Sequence, residues 1–140
     1  MIRYENKIPV DDYLRLREMA GWMKISRKQA ENAVNNCFYS VCVWDDNKVI
    51  GIIRILWNGD YCAYISDVIV DEAYRGQKIA STMMKQSIHY LKSQMEDDFV
   101  VKLFLMAAKG RESFYEQFGF VQRPNDSSGA DLDQWVYKDE

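Results

Sequence analysis

The chain has few of the residues that several classes of site require: one histidine, three cysteines and two prolines in 140 residues. Cys37, Cys42 and Cys62 are odd in number and lack metal-ligand spacing, so with the single His89 they predict no metal site. A run of about 18 apolar residues, which a membrane span needs, is missing. The net charge of −3 leaves no basic surplus for nucleic-acid phosphates. These absences favour a reduced, cytoplasmic protein that binds neither membrane nor nucleic acid.

The apolar content of 48% is enough to build the core of one domain, which we expect to span residues 1–140. Periodicity along the chain predicts the element order β-α-α-β-β-β-α-β-α-β-β. An antiparallel meander is predicted where short turns separate three β-rich segments, residues 38–44, 49–57 and 61–70. A helix over residues 77–94 leads to a strand over residues 99–107, which should lie parallel to the third segment. The prediction is an α/β fold of the α+β type, with a mixed, mostly antiparallel central sheet and helices on both faces.

The ends of the chain complete this order. A short strand precedes Pro9, which suits the first turn of a helix that ends at Gly21. Ser26 is a good N-cap for a second helix over residues 27–35. Near the C-terminus a short helix over residues 109–118 ends at Gly119. Two strands are predicted after it, over residues 120–122 and 134–137.

Residues 65–81 are the stretch with the clearest chemistry. A β-branched run ends at two acids, a short basic turn with Gly76 follows, and an amphipathic helix begins near Ile79. Successive backbone N–H groups at a helix start, where about half a positive charge accumulates, bind phosphate groups. The stretch therefore predicts a site for a phosphorylated ligand.

Two motifs resemble the GNAT superfamily of N-acetyltransferases. Residues 75–80, Arg-Gly-Gln-Lys-Ile-Ala, are similar to its acetyl-CoA loop, with Lys78 where the family has Gly, and residues 114–120, Phe-Tyr-Glu-Gln-Phe-Gly-Phe, resemble its tyrosine block. A likeness at Trp22, Arg54, Asp67 and residues 105–110 is similar to a subgroup of small bacterial members. The resemblance covers the whole chain and implies a GNAT-like fold, an acyltransferase activity and acetyl-CoA as co-substrate, without a metal.

The resemblance also implies the roles of the cofactor residues. The pantetheine arm of CoA would pair with the backbone of the strand before the turn, at Val68, Ile69 and Val70. The diphosphate would bind the backbone and side chains of the turn and the helix start, formed by Arg75, Gly76, Gln77, Lys78, Ile79, Ala80 and Ser81.

In direct transfer the amine attacks the thioester, so a base must take a proton and an acid must protonate the departing thiolate. Tyr115 fits the acid, because a phenol of pKa about 10 stays protonated at neutral pH. Asp67, a carboxylate in an apolar strand, fits the base. The alternative for Asp67 is a structural role, capping loop amides or pairing with Arg54.

The acceptor is predicted to be a small amine, aralkylamine- or polyamine-like, because aromatic residues would wall a pocket and acids would attract a cation. The candidate walls are Trp22, Trp57, Tyr64 and Trp135. Two alternatives stay open: a non-catalytic acyl-CoA-binding or regulatory module, and an acetyltransferase of protein or peptide amines. The chain is expected to be a monomer or a homodimer.

Overall fold

The computed structural model describes residues 1–139. Its contacts divide the chain into two compact units, Met1–Leu105 and Met106–Glu140, which we describe separately; a single domain over the whole chain stays a prediction. The first unit contains, in order, β1 Ile2–Glu5, α1 Val10–Met19, α2 Arg27–Asn35, β2 Tyr39–Asp45, β3 Lys48–Leu56, β4 Cys62–Val70, a 3₁₀ turn Glu72–Tyr74, α3 Ile79–Gln94 and β5 Lys102–Leu105. The second contains α4 Glu112–Glu116.

The five strands form one sheet in the order β1-β2-β3-β4-β5. The first three pairings are antiparallel and the β4–β5 pairing is parallel. Short turns join β2 to β3 and β3 to β4, whereas α3 carries the chain from β4 to β5 and so allows the parallel pairing. The predicted mixed, mostly antiparallel sheet is confirmed.

Helices α1 and α2 pack on one face of the sheet and α3 packs on the other. Ile52 of β3 lies in a buried cluster with Leu16 of α1. The adjacent Gly51 faces α3, where an added Cβ would lie 3.3 Å from Cγ2 of Ile79. Successive residues of a strand point to opposite faces, so these two contacts place helices on both faces, as predicted.

Local sequence explains where the helices begin. The hydroxyl of Ser26 accepts a hydrogen bond of 3.1 Å from the backbone N–H of Gln29, and α2 spans the predicted residues. Pro9 precedes the first residue of α1, where its missing N–H costs nothing. Within residues 1–139 none of the helices is both long and apolar enough to cross a membrane.

Strand β4 has a β-bulge at Ser66. Arg54 of β3 lies opposite Asp67, whereas Leu56, two residues further along β3, lies opposite Tyr64. Three steps of β4 therefore match two steps of β3, which reverses the alternation of side chains. Because opposite residues share a face, Tyr64 lies on the same face of the sheet as Asp67.

The pairing of β4 with β5 is short. It runs only from Cys62 to Ile65 of β4 and stops immediately before the bulge, whereas the pairing with β3 continues to Val70. Among the described residues, no strand pairs with the β5 side of β4 over residues 66–70. This half of β4 therefore has one free edge of backbone donors and acceptors.

The second unit corrects the sequence prediction. The strands expected over residues 120–122 and 134–137 do not form, and α4 is shorter than the predicted helix. Val121, Trp135 and Val136 are 75%, 64% and 81% exposed. A strand needs a neighbour for its backbone groups, and a short apolar alternation does not supply one. In residues 106–139 the structure has instead an isolated bridge between Asn125 and Ser128.

Candidate active site

The free edge of β4 leads directly into the predicted phosphate turn. After Val70 the chain makes the 3₁₀ turn, then residues 75–78, and then enters α3. Gly76 has φ of 83° and Lys78 has φ of 61°, so two residues of this turn are left-handed. Lys78 therefore adopts the backbone conformation for which glycine is the ordinary choice, although its side chain makes this costly.

Within residues 1–139 the backbone N–H groups of this turn have no acceptors from Gly76 onward. The first helical hydrogen bond of α3 runs from Thr82 N to Lys78 O, at 3.0 Å. In the described chain no acceptor pairs with the backbone N–H groups of residues 76–81. A row of six unpaired N–H groups at the start of a 16-residue helix is the arrangement that binds a diphosphate.

Side chains fix the start of this turn to the β2–β3 hairpin. The Asp71 carboxylate accepts the N–H of Ala73 at 3.0 Å and pairs with Lys48 at 3.2 Å. The Tyr74 hydroxyl donates to Asp45 at 2.5 Å. The N–H of Ala73 and then Lys48 lower the pKa of Asp71, and the hydrogen bond to Asp45 raises the pKa of Tyr74. Sequence reasoning missed these contacts, because Asp45 and Tyr74 are far apart in the chain.

Asp67 lies in a buried charged cluster on the α1/α2 face. Its Oδ2 accepts hydrogen bonds from the Tyr13 hydroxyl at 2.7 Å and from Nε of Arg54 at 2.6 Å. Nη1 of Arg17 lies 3.9 Å from Oδ1. Arg54 also donates to the carbonyl of Ala33 in α2, at 2.8 Å. Of the two roles that the sequence left open, this geometry supports the pairing with Arg54; a role as base stays a prediction.

The cluster has the electrostatics of a desolvated ion pair. Burial alone would lower the pKa of Arg54, but the charge of Asp67 and its hydrogen bond outweigh burial, so the pKa rises. Burial, followed by the charge of Asp67, raises the pKa of Tyr13, which keeps this phenol protonated and donating. Tyr13 and Arg17 are one helical turn apart on α1, a spacing that could have suggested a shared partner.

In the second unit, Tyr115 lies on α4 among aromatic rings. Its ring centroid is 5.1 Å from that of Phe114 and 6.2 Å from that of Phe120, both edge-on. Burial raises the pKa of Tyr115, against a smaller lowering by Arg111. The phenol therefore stays protonated at neutral pH, as an acid must.

Of the predicted acceptor walls, the three in the first unit contact different groups of residues. Trp22 packs on the α1/α2 core, with its ring 5.5 Å from the Arg17 guanidinium. Trp57 belongs to another aromatic group, 5.1 Å from Phe38 and 6.3 Å from Phe99. Tyr64 contacts Phe104, at 4.9 Å. Trp135 lies in the second unit, exposed.

The sequence profile of the acetyltransferase (GNAT) family matches residues 8–120. The chain belongs to this family. A relative from Gracilaria tenuistipitata var. liui, an uncharacterized N-acetyltransferase named ycf52, is 26% identical over 132 residues, which cover 91% of this chain and 70% of the relative. The chain is an N-acetyltransferase of the GNAT family, and the predicted family is confirmed.

Solved GNAT structures share the fold. A protein of unknown function from meticillin-resistant Staphylococcus aureus, described as a probable acetyltransferase, is 29% identical, with a TM-score of 0.82 over 96% of this chain and 100% of its own. A GNAT family protein from Streptococcus pneumoniae has a TM-score of 0.79 at 22% identity, over 99% of both chains, which shows the fold alone. The predicted fold class is confirmed by these likenesses.

Proposed function

We propose that the protein transfers an acetyl group directly from acetyl-CoA to the primary amine of a small molecule. The observation that carries this proposal is the continuity of two unpaired backbone surfaces. The free edge of β4 over residues 66–70 leads into the unpaired N–H groups of residues 76–81. Pantetheine contains two amides and can pair like a strand, while a diphosphate suits the helix start, so one CoA molecule matches both surfaces in order.

Val68, Ile69 and Val70 would pair with the pantetheine amides through their main chains. The diphosphate would be held by the backbone of Gly76, Gln77, Lys78, Ile79, Ala80 and Ser81, with Arg75 adding positive charge. Arg75 is available for this, since it is about half exposed and its 3.9 Å contact with Glu72 is long. The ligand would supply an activated thioester, and the protein would supply position and charge.

Tyr115 would donate its phenolic proton to the sulfur as the carbon–sulfur bond breaks and the nitrogen–carbon bond forms. Its raised pKa supports this, because the proton is present at neutral pH. Asp67 is proposed to organise the acceptor side of the sheet. Its Oδ1 is the oxygen that remains for a proton from the amine, since Oδ2 already accepts two hydrogen bonds.

For the acceptor, an aralkylamine-like body has more support than a polyamine. Arg54 and Arg17 already balance the charge of Asp67, which leaves it little attraction for a polycation. The bulge places the Tyr64 ring, in contact with Phe104, on the same face as Asp67. An apolar amine would pack against these rings.

The three cysteines carry no disulfide, which supports a reducing compartment such as the cytoplasm.

The test is release of free CoA thiol from acetyl-CoA, measured with a panel of aralkylamines, polyamines and a lysine peptide. Tyr115→Phe should lower kcat by about a hundredfold or more and leave the affinity for acetyl-CoA unchanged. Tyr61→Phe is the matched control, because Tyr61 is 71% exposed and, within residues 1–139, its hydrogen bond is a backbone one, in which its carbonyl accepts the N–H of Lys102.

Each alternative gives a different result. Tight acetyl-CoA binding without turnover of any amine would favour the non-catalytic module. Turnover of the peptide alone would favour a protein acetyltransferase. A fully active Tyr115→Phe variant would exclude the acid role.

A further inference from the structure

The charged cluster on the α1/α2 face, formed by Arg17, Arg54 and Asp67, has a net positive charge. The side chains of Arg17, Arg54 and Asp67 are 12%, 10% and 6% exposed. Within residues 1–139, Asp67 is the only carboxylate in an ion pair with either arginine. Tyr13 is protonated and adds no charge. Two guanidinium groups therefore share one carboxylate where solvent compensates poorly.

Arg17 is the member with unused binding capacity. Arg54 forms a 2.6 Å bond to Asp67, whereas the contacts of Arg17 Nη1 are long, 3.5 Å to the Tyr13 hydroxyl and 3.9 Å to Asp67. In the part of the chain that the structure describes, its one short side-chain bond runs from Nη2 to the carbonyl of Met23, at 2.7 Å. The guanidinium lies 5.6 Å from the Tyr13 ring and 5.5 Å from the Trp22 ring. Two aromatic rings thus lie next to a cation that lacks a full partner.

The chain near Arg17 carries further charges of both signs. The chain between α1 and α2 carries Lys24, and α2 begins with Arg27 and Lys28. Arg27 is paired with Asp11 and Glu31. In the described part of the chain no ion pair involves Lys24 or Lys28. Glu18, the neighbour of Arg17 in α1, also has no ion pair in this part of the chain, so the preference for an anion is assigned to the buried guanidinium of Arg17 alone.

This cation is close to where the acetyl group would arrive. On the proposed function, pantetheine runs along the free edge of β4 over residues 66–70, with its thioester end towards the bulge at Ser66. Asp67 is the next residue, and Arg17 lies 3.9 Å from its carboxylate. An amine placed to attack the thioester would therefore lie close enough to Arg17 for a second group of the same small molecule to reach the guanidinium.

We infer that the acceptor carries a carboxylate near its amine, as an α-amino acid does, and that Arg17 binds this carboxylate. The inference rests on the proposed function and narrows it: the acceptor is an aralkylamine-like amino acid, with its ring against Tyr64 and Phe104 and its carboxylate on Arg17. A guanidinium forms two parallel hydrogen bonds with a carboxylate, so both partners would gain the bonds that they lack.

The test compares amines that differ only in the carboxylate: phenylalanine with phenethylamine, and tyrosine with tyramine. The wild-type protein should show a kcat/KM at least about tenfold higher for the carboxylate member of each pair. Arg17→Gln should reduce this preference, measured as the ratio of kcat/KM within each pair, by about ten- to a hundredfold, whatever its effect on the rate that both members share. Arg17→Lys should retain part of it, because the charge remains without the planar fork.

Arg15→Gln is the matched control. Arg15 lies on the same helix and also donates to a backbone carbonyl, that of Val49, at 2.7 Å, but it makes no contact with Asp67. Its loss should leave the carboxylate preference intact. If Arg17→Gln lowered the rates of both members of a pair equally, Arg17 would be structural and the inference wrong. Equal rates within each pair in the wild-type protein would also overturn it.

A binding measurement separates this inference from the proposed function. Calorimetric titration of N-acetylphenylalanine and N-acetylphenethylamine into the CoA-loaded protein needs no turnover. Preference for the carboxylate compound that Arg17→Gln abolishes would support the inference even if no amine were acetylated. Acetylation of phenethylamine, with no preference for the carboxylate compound in either assay, would leave the function standing and overturn the inference. Binding of neither compound would overturn it too.

Discussion

Replacing Lys78 by glycine should make the protein more stable while weakening its hold on acetyl-CoA. Lys78 has φ of 61° and ψ of 24°, in the left-handed region, and it precedes the first residue of α3. A side chain in this region costs about 1–2 kcal/mol relative to glycine. Lysine also places a positive charge at the positive end of a helix dipole.

The expected gain is smaller than the strain, because glycine also gives the unfolded chain more freedom. This entropy difference in the unfolded chain lowers the stability of the glycine variant by about 0.5–1 kcal/mol. The net stabilisation is therefore about 0.5–1 kcal/mol, which for a chain of this size corresponds to a rise in Tm of about 3 °C. Solvent screens the exposed ammonium, so the dipole adds little to this sum.

The variant Lys78→Ala separates the effect of backbone strain from the effect of the positive charge. Alanine keeps the left-handed strain and removes the ammonium, so its Tm should stay close to that of the wild type. Both variants should bind acetyl-CoA more weakly, by a similar factor of about three to ten, if Lys78 contacts a phosphate. Scanning calorimetry of the free protein and calorimetric titration with acetyl-CoA at two salt concentrations measure the two effects.

A Lys78→Gly variant that melts at or below the wild-type temperature would refute the reasoning from strain. Unchanged affinity in both variants would show instead that the ammonium makes no phosphate contact. The wild type would then hold the diphosphate with its backbone N–H groups and Arg75, without Lys78.

Three further predictions follow from the first unit. Arg54→Met should lower the free energy of unfolding, measured in urea, by about 3 kcal/mol, because it leaves Asp67 buried with one distant cation. Adding Asp67→Asn should recover part of this loss. Purely additive effects in the double variant would contradict this coupling. Ser26→Ala should cost about 1 kcal/mol by removing the cap of α2, and an unchanged melting curve would contradict it. In the folded protein the pKa of Asp71 lies below its ordinary value of 3.8. Its contribution to the free energy of unfolding is therefore complete above that value and is lost as pH falls through the folded pKa. The difference in this free energy between wild type and Asp71→Asn should be constant above about pH 5 and shrink below about pH 4. A difference that does not change with pH would exclude this linkage.

Local signals were enough to predict most of the first unit. Ser26 and the periodicity after it predicted α2 to the residue, and alternating β-branched segments predicted the meander. The amphipathic helix after the turn was also predicted, and α3 buries Ile79, Met83 and Leu91 at the regular spacing of one helix face. These features depend on neighbours in the chain, which the sequence displays directly.

The contacts that organise the site depend on docking between distant elements. Arg17 reaches Asp67 only because α1 crosses the sheet at that strand, and Tyr74 meets Asp45 only because the hairpin extends beyond β4. The predicted C-terminal strands failed for the opposite reason, since Trp135 and Val136 have strand-like sequence but no strand beside them in the described chain. Strand propensity expresses the fit to a neighbour, and a single sequence does not display that neighbour.

The extra residue at Ser66 changes how substitutions along β4 should be interpreted. On the C-terminal side of Ser66 odd-numbered residues face α1 and α2, as Asp67 does, and on its N-terminal side even-numbered residues do, as Tyr64 does. A mutational scan that assumes strict alternation would place the residues on one side of Ser66 on the wrong face of the sheet. Deleting Ser66 would rotate every side chain before it to the opposite face and remove the ring of Tyr64 from the acceptor side. A one-residue gap at this position in a relative would therefore indicate a different acceptor, even where the cofactor turn is unchanged.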